Sequence, residues 1–301
     1  MAVRFFVGPM SKNVAAAVIE FCDANSCHDL FGFIPSRRQV DAPASGYSNR
    51  WTTGAFVSYV GGKLSIQRDH AGPGQGAVDD DGVASLLDDV ASGIKSFHID
   101  PWKAVACECD DIVTAAATKT CALVSLCDDV APDRSAMRYE IGTERSMHHY
   151  DADELHKFAG LVRAGLTVDQ WERVEHIVVQ TGTQVIGTRN ADVFDAAECT
   201  KMVAVCNEFG KLPKEHSCDY LSRESLLKRI DAGVCSFNIA PEFGVIETRV
   251  LLDALSKLGM FGERETFIVL CVASGKWKRW VDLSKPWNDI DCAELCGHYS
   301  F

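Results

Sequence analysis

Short apolar runs rich in β-type residues recur along the chain, each followed by a longer segment with the apolar spacing of a helix face. This alternation is typical of repeated strand–helix units that build a parallel sheet. The predicted strands are Arg4–Val7, Leu30–Pro35, Leu64–His70, Ser96–Asp100, Met137–Thr143, His176–Gly182, Lys211–His216 and Val234–Ile239. The predicted helices include Lys12–Ala24, Gly82–Ala91, Lys103–Leu126, Ala152–Ala164, Phe194–Phe209, Arg223–Ala232 and Phe243–Leu258. Eight such units predict a single (β/α)8 barrel, also called a TIM barrel.

The eight units account for residues 1–261, which we predict to be the barrel. Residues 262–301, including the basic and aromatic run Lys276–Trp280, exceed what a barrel needs. We expect this C-terminal extension to pack on the barrel or at an oligomer interface. The long second loop, from Pro35 to Thr53, is predicted to contact the substrate or a subunit.

Charge and hydrophobicity narrow the classes of partner. The 301 residues carry 30 Lys and Arg against 42 Asp and Glu, a net charge of −12, which disfavours nucleic acid. No apolar run approaches the roughly 20 residues of a membrane helix, and the first residues show no signal core with a cleavage site. We therefore expect a cytoplasmic protein that binds no membrane.

The thirteen cysteines are an odd number without any C-x-x-C pair. Most of the closely spaced ones, such as Cys107 and Cys109, lie in apolar stretches. Free cysteine packs as a small hydrophobic residue, so buried reduced thiols are favoured over a zinc finger or a disulfide framework.

Polar side chains follow the predicted strands at the end where barrels place their chemistry. We predict His70 and His216 as ligands of a divalent metal ion, with Glu144 or Glu140 adding charge and Gln184 supplying a carbonyl oxygen. A single histidine at a strand end is more often structural, so the prediction depends on several residues converging. The mixed nitrogen and oxygen set suits zinc first, with manganese, cobalt or magnesium as alternatives.

Asp69 is predicted to be the general acid and base, because it adjoins His70 but points elsewhere. A second group of polar or basic residues lies at strand ends and in loops, where contact with substrate is expected; for the arginines a solvated surface position is the competing interpretation. These residues are Arg37, Arg38, His98, Asp100, Gln180 and Arg189.

Four of these strand-end runs carry a family resemblance. They resemble successive motifs of the Z-type subunit of bacterial tagatose-bisphosphate aldolase, which groups with ketose and tagaturonate epimerases among the class II, metal-dependent aldolase-like barrels. The resemblance covers Leu64 to Leu258, and the four runs together are more specific than any one of them. The runs are 68–73 (RDHAGP), 139–144 (YEIGTE), 178–182 (VVQTG) and 215–220 (EHSCDY).

The resemblance implies roles for individual residues. Asp69 would transfer the proton, His70 and His216 would bind the metal, and Asn238 would steady an enediolate. The strand-five glutamate of the family falls at Glu140 or Glu144; we take Glu140 as catalytic and Glu144 as a metal ligand, and leave the choice open.

The chain also departs from the catalytic aldolases. Gln184 stands where they have a metal-binding histidine after strand six. The run Ser217–Tyr220 replaces their Gly-Gly-Ser phosphate cradle, and Ala240–Glu242 lacks the Asp-Thr pair of its second half. These departures disfavour a standard ketose bisphosphate as substrate.

The sequence thus predicts metal-dependent aldol or retro-aldol cleavage, or epimerisation, of a sugar or sugar phosphate through an enediolate. The alternative is a non-catalytic subunit that stabilises a separate class II aldolase chain, because the Z-type subunit is described as non-catalytic. Retention of Asp69, His70, His216 and Asn238 opposes the alternative. An enzyme of this kind is expected to be a homo-oligomer, whereas a supporting subunit would bind its aldolase partner.

Overall fold

Eight parallel strands close into a barrel in the computed structural model, which describes residues 2–41, 46–105 and 111–298. Going round the barrel, the order is β1-β10-β9-β6-β5-β4-β3-β2. A two-stranded antiparallel hairpin, β7-β8, was not predicted. The strands are β1 Arg4–Val7, β2 Phe31–Phe33, β3 Ser65–Ala71, β4 Ser96–Ile99, β5 Arg138–Ile141, β6 Val174–Val179, β7 Val185–Ile186, β8 Arg189–Asn190, β9 Leu212–Glu215 and β10 Ser236–Ile239. The predicted (β/α)8 barrel is confirmed, and all eight predicted strands are present.

Helices follow the barrel strands and cover the sheet. They are α1 Lys12–Asn25, α2 Thr53–Val60, α3 Val83–Ala91, α4 Trp102–Val105, α5 Ile112–Val130, α6 Ala152–Gly165, α7 Val168–Glu172, α8 Ala196–Glu208, α9 Arg223–Asp231, α10 Pro241–Lys257, α11 Phe261–Ser274 and α12 Asp289–Cys296. The main apolar cluster lies where α3, α5, α6 and α8 pack against the strands.

One helix prediction needs correction, and the helix α2 was not predicted. The single helix predicted over Lys103–Leu126 is wrong, because α5 begins anew after Asp111, whose side chain accepts a hydrogen bond from the Thr114 N–H. Part of that prediction, residues 106–110, lies outside the described residues. The predicted loop from Pro35 to Thr53 is followed by α2; the Thr52 side chain caps the start of this helix and Gly61 caps its end.

The C-terminal helices pack together and against α10. Leu252 of α10 joins Ile268 and Cys271 of α11 and Cys296 of α12 in a separate apolar cluster. The C-terminal segment also contacts the hairpin, where the Gly187 N–H donates a hydrogen bond to the carbonyl oxygen of Trp280. The predicted division of the chain after residue 261 stays a prediction.

Charged side chains occupy the inside of the barrel. Lys214 of β9 is fully buried, and its Nζ lies 2.6 Å from Glu140 Oε2 of β5. The same Nζ donates to Gln67 Oε1 of β3 and lies 3.9 Å from the ring centroid of Phe6. Strands that are not neighbours in the sheet are thus connected through the barrel interior by a buried ion pair.

The cysteines of the described part of the chain are all free. Eleven of the thirteen in the sequence are described, and most of them are buried; Cys107 and Cys109 lie outside the described residues. Among the described helices, none combines the length and apolar character needed to cross a membrane.

Candidate functional site

A cavity of about 320 Å³ opens at the C-terminal ends of the barrel strands. Seven of the predicted site residues line it: Arg38, Asp69, His70, Glu144, Gln184, His216 and Asn238. Its wall is completed by the loops after β2, β3, β5, β6 and β9 and by the start of α10. The position agrees with the face where (β/α)8 barrels carry their chemistry.

Four side chains meet beneath this cavity: Asp69, His70 and His216 line it, and His98 is fully buried behind them. One ligand atom from each of Asp69, His70, His98 and His216 lies within 4.8 Å of the other three. The three imidazole centroids are 4.6 to 5.4 Å apart. The structure therefore brings together His70 and His216 as the sequence predicts, but adds His98, for which we expected substrate contact.

Each imidazole of this cluster has one ring nitrogen engaged by an outer acceptor. His70 Nδ1 lies 2.6 Å from Asp100 Oδ2, and His216 Nε2 lies 2.6 Å from Glu140 Oε1. His98 Nε2 lies 3.1 Å from the carbonyl oxygen of Gly142. Because these oxygens only accept, the engaged nitrogens carry the hydrogens, which leaves the other nitrogen of each ring unprotonated when the ring is neutral. This arrangement is typical of histidines that bind a metal.

Asp69 faces all three rings. Its Oδ1 is 3.6 Å from His98 Nδ1 and 3.9 Å from His216 Nδ1, and its Oδ2 is 3.8 Å from His70 Nε2. These separations exceed hydrogen-bond length. Asp69 Oδ1 is buried and has no hydrogen-bond partner among the described residues. A buried carboxylate oxygen without a partner is costly unless a cation or a proton approaches it.

The backbone at His70 is held in an unusual conformation. His70 has a φ of 46°, in the left-handed region that residues other than glycine seldom adopt. The pairing of β3 with β4 shifts between Arg68 and Ala71 at the same place. A bulge of this kind re-aims a side chain, and here it turns His70 toward His98 and His216.

The electrostatics of the cluster favour a bound cation. Burial lowers the pKa of His70, but the charges of Asp69 and Asp100 outweigh burial and raise this pKa to about 10. Burial raises the pKa of Asp69, yet the charge of His70 and the neighbouring histidines bring it below its ordinary value. The two carboxylates thus keep a proton on His70, and the charged His70 in turn keeps Asp69 ionised; a metal ion would replace that proton.

Glu140 and His216 form the second outer pair. Burial raises the pKa of Glu140, but the charge of Lys214, followed by those of the histidines, holds this pKa well below its ordinary value. Burial is the main cause that lowers the pKa of His216. Glu140 is therefore an ionised carboxylate that orients a neutral His216, and it does not line the cavity.

Glu144 and Gln184 do not join the cluster as predicted. Glu144 accepts hydrogen bonds from Ser146 Oγ and Ser217 Oγ, both at 2.6 Å, and its carboxylate lies outside the four-residue group. Gln184 is exposed at the cavity wall. His98, from the strand between those of His70 and Glu140, occupies the position for which these two were predicted.

Five of the six residues predicted to contact substrate do not line the cavity: His98, which joins the cluster instead, and Arg37, Asp100, Gln180 and Arg189. Asp100 and Gln180 are buried and hydrogen-bonded: Asp100 holds His70, and the Gln180 amide donates to Thr143 O and His148 O. Arg37 is 6% exposed and forms a two-point ion pair with Asp80, at 2.7 and 2.8 Å. Arg189 is exposed on the hairpin. Arg37, Asp100 and Gln180 do not contact the cavity because their polar atoms form hydrogen bonds or ion pairs with other groups of the protein.

Asn238 lies beside the cluster. Its Nδ2 lies 3.3 Å from His216 Nδ1, the ring nitrogen able to accept, and its Oδ1 is a buried acceptor without a partner among the described residues. An amide at this place can serve a substrate oxygen or hydroxyl group.

Sequence reasoning missed Lys214, Gln75, Arg145 and Trp280. Lys214 could have been found, because it lies two residues before His216 in a strand and so shares its face. Gln75, Arg145 and Trp280 line the cavity from loops and from the C-terminal segment. Their positions depend on tertiary packing, for which the sequence pattern carries no signal.

Comparisons with known proteins support the fold. No protein-family model matches the chain. No curated protein matches it by sequence either. Among solved structures, a probable tagatose 6 phosphate kinase from Sinorhizobium meliloti 1021 is 17% identical with a TM-score of 0.76, covering 99% of this chain and 81% of the other.

Two further similar structures are named as an aldolase and as an epimerase. The YdjI aldolase from Escherichia coli K12 is 11% identical, with a TM-score of 0.57 and coverage of 99% of this chain and 88% of the other. The fructuronate-tagaturonate epimerase UxaE from Cohnella laeviribosi is 10% identical, with a TM-score of 0.58 and coverage of 99% and 72%. These neighbours match the group that the sequence motifs resemble, and at such identities the likeness shows the fold.

Proposed function

We propose that this protein is a metal-dependent enzyme that cleaves or forms an aldol bond in a ketose, or epimerises it, through an enediolate. One observation carries the proposal: three imidazoles, two buried and one 14% exposed, converge at the open end of the barrel, each oriented by an outer oxygen acceptor. The similarity to barrels named as aldolases and as a ketose epimerase agrees with this chemistry. Fold similarity alone would not assign it, because one barrel serves many reactions.

The donor set fits a divalent metal ion. His70, His98 and His216 would each offer one nitrogen, and the partnerless Asp69 Oδ1 lies among them. Imidazole donors suit zinc better than magnesium, which prefers oxygen ligands. A divalent ion bound there would polarise the carbonyl and hydroxyl oxygens of the substrate and stabilise developing negative charge.

The chain's own residues would bind the sugar and move the proton. Asp69 faces the cluster and keeps a buried oxygen without a partner among the described residues, so it would accept a proton from the substrate and return it. Asn238 lines the cavity beside His216, and its Oδ1, unpartnered among the described residues, would accept a hydrogen bond from a substrate hydroxyl group. Arg38, from the loop after β2, would contact a polar or anionic part of the substrate at the wall.

The same intermediate leads to both reactions. If the carbon–carbon bond breaks and the fragments leave, the enzyme is an aldolase. If the aldehyde fragment rotates and the bond forms again on its other face, with Asp69 returning the proton to the new hydroxyl group, it is an epimerase. Supply and removal of the proton by Asp69 are common to both routes.

A supporting subunit without catalysis is less well supported. Such a subunit has no need for three imidazoles with outer acceptors and a carboxylate that keeps a buried oxygen unpaired. Homo-oligomer formation, a partner aldolase chain and a cytoplasmic location remain predictions from the sequence.

The substitution Asp69→Asn tests the assignment. We expect the variant to retain its metal while turnover in retro-aldol and epimerisation assays of ketoses falls by about 10²- to 10⁴-fold. The control Asp79→Asn changes an exposed acid in the loop after β3 and should leave both metal content and turnover unaltered. Unchanged turnover in Asp69→Asn would remove Asp69 from the mechanism, and loss of the metal would make Asp69 a ligand instead.

A further inference from the structure

The start of α10 forms one wall of the cavity, and a carboxylate already fills its anion-binding position. Asp219 Oδ1 accepts hydrogen bonds from the backbone N–H groups of Ala240, at 2.9 Å, and Glu242, at 2.8 Å. Asp219 comes from the loop after β9, is 1% exposed and lines the cavity. A side chain from one strand end thus caps the helix that follows the next strand.

A second carboxylate, that of Glu242 at the start of α10, accepts a hydrogen bond from the loop that carries Asp219. Glu242 Oε2 accepts a hydrogen bond from the Tyr220 N–H at 2.6 Å. The Asn190 side chain donates to the carbonyl oxygens of Ser217 and Asp219, each at 2.8 Å, and so fixes the loop that carries Asp219. The backbone donors of this wall are therefore satisfied by groups of the protein itself.

This wall is where many (β/α)8 barrels bind phosphate. The loops after the last two strands and a helix N-terminus supply N–H groups and a positive field there. In this chain Asp219 and Glu242 put negative charge at the same place. A phosphate entering would find those N–H groups occupied by the Asp219 side chain. Burial raises the pKa of Asp219 to about 7, so the repulsion that its charge adds grows above that pH.

The cationic side chains of the cavity lie on other walls. Arg38 follows β2 and Arg145 follows β5, and no other Arg or Lys side chain of the described residues lines the cavity. No positive side chain among these lining residues offsets the two carboxylates at the start of α10.

We propose that Asp219 is a specificity residue that stands in for a phosphate at the start of α10, so the end of the sugar that lies there is uncharged. The substrate is then a polyhydroxy ketose without phosphate at that end, whose hydroxyl groups can donate to the Asp219 carboxylate. This inference rests on the proposed function for the nature of the substrate, but the exclusion of phosphate can be measured without it.

Phosphate binding to matched variants tests the inference. Asp219→Ser removes the carboxylate and frees the N–H groups, so we expect inorganic phosphate to bind at least about tenfold more tightly than to the wild type by isothermal titration. Asp253→Ser makes the same change of charge on the exposed side of α10 and should leave phosphate affinity at the wild-type value. A wild type that binds phosphate as tightly as Asp219→Ser overturns the proposal.

A pair of ligands then tests the consequence for the sugar. Dihydroxyacetone and dihydroxyacetone phosphate differ only in the phosphate, and the ratio of their dissociation constants should shift at least about tenfold toward the phosphate ester in Asp219→Ser. An unshifted ratio contradicts the proposal. If Asp219→Ser does not fold, Asp219→Asn removes the charge and keeps an acceptor oxygen, and the shift should be smaller but in the same direction.

The two proposals fail in different ways. Binding of inorganic phosphate needs neither a metal ion nor turnover, so a chain without metal would sink the proposed function and leave the phosphate comparison valid. Equal phosphate affinity in the wild type and Asp219→Ser would sink the inference while metal binding by the histidines stood.

Discussion

Asp100 Oδ2 lies 2.6 Å from His70 Nδ1 and anchors the imidazole that the bulge in β3 turns toward the cluster. Asp100 is fully buried, and it also accepts hydrogen bonds from Thr143 Oγ1 at 3.0 Å and from the Trp102 N–H at 3.2 Å. A carboxylate fixed from three sides holds one tautomer and one orientation of His70. Asp100 is therefore a positioning residue, because it acts on the metal site only through His70.

Loss of the Asp100 charge should weaken metal binding. In Asp100→Asn the amide oxygen can still accept from His70, but the ring becomes less basic, and the affinity for Zn²⁺ should fall about 10- to 100-fold. Competition with a chromogenic chelator measures this affinity. The exposed acid Asp23 gives the control Asp23→Asn, which should bind as the wild type does. Equal affinity in Asp100→Asn and the wild type would show that Asp100 does not act on the metal.

Metal binding should release protons. In the metal-free protein the pKa of His70 is about 10, so this ring holds its proton at pH 7 to 9, and a metal must displace it. The apparent affinity should therefore rise with pH, by about tenfold or more per unit below that pKa. Isothermal titration in buffers of different ionisation enthalpy counts the protons. If metal binding released no proton at pH 8, the protonation state assigned to His70 would be contradicted.

The buried ion pair inside the barrel should be essential to stability. Lys214→Met leaves the Glu140 carboxylate without its charge partner in the barrel interior, where both groups are fully buried. We expect the free energy of unfolding, measured by urea denaturation, to fall by about 3–5 kcal/mol. A change below about 1 kcal/mol would mean that the pair is not buried as described.

Two controls separate burial from the loss of a lysine. Lys228→Met removes an exposed lysine paired with Glu224 on the surface of α9 and should leave stability near the wild-type value. The double variant Lys214→Met with Glu140→Gln removes both charges and should recover part of the lost stability. Failure to recover any of it would assign the loss to packing instead of charge.

The turn after β6 should admit no side chain at Gly182. Gly182 has a φ of 92°, and a Cβ there would overlap the carbonyl oxygen of Val193. Gly182→Ala should lower the free energy of unfolding by at least about 3 kcal/mol, from backbone strain and overlap together. Gly210→Ala provides the comparison, since Gly210 has a φ of 67° with open space around it, and should cost about 1–2 kcal/mol. Equal losses of unfolding free energy in the two variants would show that the backbone moves enough to relieve the overlap with Val193.

Much of the barrel could be predicted because its signal is local. Apolar strand runs and helix caps, such as Ser222 before α9 and Asp151 before α6, are encoded within a few residues. The missed start of α5 also had a local signal, the Asp111 side chain that caps it, but the apolar spacing around it favoured one long helix.

The site was harder to predict because its roles depend on partners far apart in the chain. Strand alternation places His98 and Asp100 on the same face, yet only the fold shows that His98 joins the cluster and Asp100 supports it. The Gln180 amide is satisfied by the loop after β5, which no pattern around residue 180 indicates. The turn of His70 into the left-handed region could not be foreseen either, since it depends on the pairing of β3 with β4.

Bound metal in the purified protein tests the central claim most directly. Elemental analysis of protein prepared without chelator or affinity metal should find about one divalent ion per chain in the wild type. The ion should be absent from both His70→Ala and His216→Ala, with circular dichroism showing that each variant is folded. No metal in the wild type after addition of Zn²⁺, Mn²⁺ or Co²⁺, or equal metal in the wild type and both variants, would contradict the proposed site.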